Sequence, residues 1–128
     1  MEERIRIETG NIVNSAGVLN FESQLTNVST SIENIRSSSA DGKIQELANL
    51  CERLKISLES IKDLSPDEKA DVLEQIDKIL KAAQHPKDKN MFDKGKRALG
   101  ALKGILNVMP VVSDFREIIE GIGKFFGL

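Results

Sequence analysis

From Phe21 to Ile61 the chain reads FESQLTNVSTSIENIRSSSADGKIQELANLCERLKISLESI, and this stretch decides the fold. Phe21, Leu25, Val28, Ile32 and Ile35 recur at alternating four- and three-residue steps. Such spacing gathers the apolar side chains on one stripe of a helix, the seam of helices packed in coiled-coil fashion. Ile44, Leu47, Cys51, Leu54, Leu58 and Ile61 repeat the pattern after an interruption at Ser37-Ser38-Ser39-Ala40-Asp41-Gly42, whose composition is that of a loop. Two helices are therefore predicted, over 21–36 and 43–62. The outward positions of the first are mostly Ser, Thr and Asn, which are weak helix formers, so packing must hold it.

Downstream, Ser65-Pro66-Asp67-Glu68 is a helix start: Ser65 can cap, Pro66 suits the first helical position and Glu68 completes a capping box. The third helix, 66–84, directs Leu73, Ile76, Ile79, Leu80 and Ala83 inward and stops at His85-Pro86. After a polar loop from Lys87 to Asn90, a fourth helix is predicted over 92–109. Pro110 breaks it, and Ser113 or Asp114 caps a fifth over 114–126. Upstream, Ile5 and Ile7 alternate with charged neighbours, and Thr9-Gly10-Asn11 signals a turn before Ile12-Val13 and Val18-Leu19. Residues 1–20 read as a β-prone leader of one or two short strands. A lone hairpin is marginal in water, so it needs a sheet partner, which the same segment of another copy would supply. The fold class is mainly α: a four- or five-helix bundle over 21–128 with a short N-terminal strand or hairpin.

A chain of 128 residues supports one domain with a modest core. Five Phe are its only aromatics, and the formal charge is −2, a balance that argues against a general nucleic-acid binder. The lone Cys51 excludes an internal disulfide and a cysteine zinc cluster. Met1-Glu2-Glu3-Arg4 is followed by no apolar signal core, and no run reaches the roughly 18 apolar residues of a membrane span. These features predict a cytoplasmic protein, or one peripheral to a membrane. Catalysis finds little to work with. Cys51 and His85 are the one nucleophile–base combination, and Cys51 falls on a heptad core position, where thiols are inert. No enzyme activity, cofactor or metal is expected.

The last quarter is different in kind. From Ala98 to Leu128 apolar residues crowd together, threaded by Gly100, Gly104, Gly121, Gly123 and Gly127. A segment this apolar is hidden by its own domain, by a partner subunit or by lipid. Gly100 and Gly104, like Gly123 and Gly127, stand four apart, a spacing that lets another backbone approach. Leu102, Ile105, Phe115, Ile119, Ile122, Phe125 and Phe126 are the candidate docking or membrane residues. Released at Pro110, the two arms would reach roughly 18 and 28 Å against a hydrocarbon core of about 30 Å, so spanning is awkward. Lys94, Lys96 and Arg97 lie in a basic tract and are candidate phosphate contacts.

Three segments together carry a resemblance: Gly10-Asn11-Ile12-Val13-Asn14-Ser15-Ala16-Gly17-Val18, Leu64-Ser65-Pro66-Asp67-Glu68 and the glycine-rich apolar tail. In this order they resemble small bacterial modules associated with antiviral defence and signalling. The resemblance implies an adaptor that brings oligomers or partner enzymes together, although the leader lacks a Val-Gln-Val-Gly type amyloid core. The resulting expectation is a self-associating interaction or adaptor protein, a homo-oligomer with a partner protein. Its interface candidates are Ile5, Ile7, Val13, Leu25, Val28 and Ile32. The alternative is a membrane effector that inserts residues 98–128 on activation.

Overall fold

Five helices, and no strand, occur among the residues that the computed structural model describes, which are 9–39, 41–61, 64–107 and 113–128. They are α1 (Thr9–Ser38), α2 (Gly42–Glu59), α3 (Pro66–Gln84), α4 (Lys89–Asn107) and α5 (Ser113–Phe125). Local chemistry sets most boundaries. Asp41 caps α2, its side chain accepting from the Lys43 amide at 2.8 Å. Ser65 and Glu68 close the expected capping box on α3, at 3.1 and 3.0 Å. Asp88 accepts from the amides of Asn90 and Met91, which starts α4 inside the stretch read as loop.

The amino-terminal expectation needs correction. Residues 9–20 belong to α1 rather than to a hairpin, and Ile5 and Ile7 lie outside the described residues. Once the packed part of a helix exists, each further residue adds a hydrogen bond without a new nucleation cost. The turn signal at Thr9-Gly10-Asn11 does not outweigh that propagation.

The seam residues become the core. Val28, Ile32, Ile35, Leu47, Cys51, Leu54, Leu58, Leu73, Ile76, Ile79 and Leu80 are all buried. Helix α3 is central, packed along α1 on one side and α4 on the other, while α5 lies mainly against α2. Cross-links fix the register. Lys69 sits over the Phe21 ring at 5.6 Å, and Ser31 donates to Asp77 at 2.7 Å, so α1 and α3 run side by side in one direction. The Asp77 carboxylate is buried, and its second oxygen meets Lys81 Nζ at 3.0 Å, which leaves neither oxygen unpartnered. At its far end α1 is clasped to α2. Arg36 makes two bonds to Glu52 and one to Asn49, and the Gln45 amide donates to the carbonyls of Ile35 and Ser39.

Candidate interaction surfaces

Much of the described part of the apolar tail packs into its own domain, with Leu128 left exposed. Phe115, Ile118, Ile119, Ile122 and Phe126 are buried, as is Leu102 on α4, while Ile105 and Phe125 pack against the core from its edge. The Phe126 ring packs tilted against Phe92, centroids 4.9 Å apart, and meets Phe125 edge-on at 5.2 Å. The chain end is locked by backbone bonds: Leu128 N donates to Gly123 O, Gly127 N donates to Lys124 O, and Gly127 adopts a φ of 78°. This is the Schellman closure, which needs a residue tolerant of positive φ. An insertion mechanism would first have to strip these side chains from the core, at roughly 1.5–3 kcal/mol each. Among the described residues no helix is long and apolar enough to cross a membrane.

The glycines do not work as their spacing suggests. Gly100 and Gly104 face open space, with nothing within 4 Å of an added Cβ. Gly123 makes only ordinary contacts, and its partner Gly127 serves the turn. Close approach occurs instead at Gly95, where a Cβ would lie 2.7 Å from that of Ala82 and 2.8 Å from the Phe126 ring. Gly121 does the same against Leu50, at 2.8 Å from a terminal methyl. Sequence reading passed over Gly95 because it stands among lysines rather than in an apolar run.

Of the interface candidates, Val28 and Ile32 lie inside the chain's own core, so in this fold the seam is internal to the chain. Leu25 is half-buried at its margin, and Val13 lies on the leading part of α1. That leading part is the conspicuous surface. Phe21 is level with Lys69, only three residues into α3, so α1 outruns α3 by about nine residues, roughly 13 Å. Val18 and Leu19, where it leaves the bundle, are 40% and 62% exposed.

The phosphate candidates do not converge. Lys94 and Arg97 are exposed, but Lys96 turns aside onto the Phe92 ring at 5.2 Å. Two residues apart on a helix, Lys94 and Lys96 point about 160° away from each other. A shallow polar cleft of about 360 Å³ lies between α1 and α3, with Asn27, Asn34, Gln84 and His85 on its walls and the Ser31–Asp77 bond at its base. Cys51 is fully buried, and burial pushes its thiol up to about 12, so it stays protonated and unreactive at neutral pH. His85 is exposed at the end of α3. Among the described residues no three His, Cys, Asp or Glu side chains gather as a metal site. No family model, curated protein or solved structure matches this chain.

Proposed function

We propose that the protein is a non-enzymatic interaction module that self-associates through the leading part of α1 and thereby presents or regulates a partner protein. One observation carries this reading: α1 outruns α3 and exposes Val18 and Leu19. The stretch from Thr9 to Gly17 contains Gly10 and Gly17, each costing about 1 kcal/mol relative to Ala in a helix, along with Asn11, Asn14 and Ser15. A helix of that composition is weak by itself and gains from packing against another surface. A second copy offers the same apolar residues in return, and symmetric self-pairing is the commonest form of oligomer. The resemblance to small defence and signalling modules points the same way. Light scattering of the whole chain at tens of micromolar, the affinity range of a weak specific dimer, tests it. An assembly that Val18→Glu with Leu19→Glu converts to monomer supports the reading. A monodisperse monomer before substitution overturns it.

A further inference from the structure

Helix α4 is basic in an acidic chain. It carries Lys89, Lys94, Lys96, Arg97 and Lys103 against Asp93 alone, while the whole chain has a formal charge of −2. Positions seven apart return to nearly the same side of a helix, so Lys89, Lys96 and Lys103 line one edge of α4 over roughly 21 Å. That edge borders α5: Phe92 touches Phe125 and Phe126, and Leu99 reaches Gly123. Gly100, on the same side between Lys96 and Lys103, faces open space. At the end of the stripe stand Phe92 and Phe125, both half-buried, and Leu128, 64% exposed. Lys124 is exposed beside them.

We infer that this edge is a docking surface for an anionic lipid bilayer. Lys89 and Lys103 meet the headgroup phosphates and Lys96, over the Phe92 ring, adds its charge from the edge of the stripe, while Phe125 and Leu128 enter the interfacial layer. Clustered cations on an amphipathic helix are the feature that anionic leaflets attract, and neighbouring apolar side chains add contact area that phosphate binding alone would not use. Nucleic acid fits less well. Single strands need free aromatic faces for stacking, and here Phe92 is occupied by Lys96 and Phe126. The docking is peripheral, because α4 and α5 keep their core contacts and neither is a span. It goes beyond self-association, from which it is independent, since the edge begins at the pole of the bundle opposite Val18 and Leu19.

The experiment is co-sedimentation of the full chain with phosphatidylcholine vesicles, with and without about 30% phosphatidylserine, at low and at about 0.5 M salt. Binding only to the anionic vesicles, released by salt, is the expected result. Lys96→Glu with Lys103→Glu should weaken it at least about tenfold, while Lys43→Glu with Lys78→Glu, an equal charge change elsewhere on the surface, should weaken it less than about threefold. Thermal melts confirm that both variants fold. No binding to anionic vesicles overturns the proposal, as does equal binding to neutral ones or equal loss in the two variants. Binding to a DNA duplex that depends on Lys96 and Lys103, with vesicles ignored, replaces lipid by nucleic acid as the partner.

Discussion

The two poles of the bundle are built on opposite terms. At one, the carboxyl end folds back, Phe126 seats against Gly95 and Phe92, and Arg36 ties α1 to α2. At the other, α1 runs on past the start of α3 and leaves Val18 and Leu19 in solvent. At the first pole the chain's own contacts cover the Phe126 ring and leave Leu128 exposed; at the second, Val18 and Leu19 have no facing element among the described residues. Within one sequence the same residue types are therefore buried at one end and left exposed at the other. The difference lies in whether a facing element reaches far enough.

The sharpest way to break that contrast is Phe126→Ala. Losing a buried ring at a closed pole should cost about 3–5 kcal/mol, read as a fall in denaturation midpoint. A loss below about 1 kcal/mol would mean that the tail is not anchored. Gly95→Ala comes next, with a net loss of about 2 kcal/mol after the helix-propensity gain of about 1 is deducted. Ala82 and the ring stand on either side of the new methyl, and neither can yield cheaply. Gly121→Ala is the milder companion, because the Leu50 methyl it meets is the tip of a flexible side chain.

Gly100→Ala and Gly104→Ala invert the sign: each should stabilise by up to about 1 kcal/mol, since they add helix propensity into empty space. Destabilisation by either would reveal a backbone contact on that face. At the open pole, Val18→Glu with Leu19→Glu should move the unfolding free energy of the separated monomer by less than about 0.5 kcal/mol per site while lowering the solution mass. Acid titration gives the smallest signal. The hydrogen bond from Arg36 holds the Glu52 carboxyl below its ordinary value. Its contribution is therefore present above about pH 4.3 and fades as pH falls through the folded value. Arg36→Gln should flatten that limb of the stability curve.

Most of the helical framework could be read from residues. The heptad of Phe21 to Ile35 and that of Ile44 to Ile61 predicted two seams, and Ser65 with Glu68 marked a start that the structure keeps. What escaped reading depended on three-dimensional facts. The start of α4 rests on Asp88, whose role as a cap was masked by the polar run around it. Gly100 and Gly104 have the spacing of a contact motif, yet the buried Leu99 and Leu102 turn them outward. Gly95 had no motif at all, and only the approach of Ala82 and Phe126 shows why a side chain does not fit. Whether the greasy tail was covered by self, partner or lipid could not follow from composition, because apolarity states a need and not who meets it.

The Ser31–Asp77 bond also gives α1 a mechanical character. Sliding α1 along α3 by one helical turn, about 5.4 Å, would leave one oxygen of the buried Asp77 carboxylate without its Ser31 donor. Slippage along α3 is therefore a costly response to force on the leading part of α1, and the buried Val28, Ile32 and Ile35 oppose it as well.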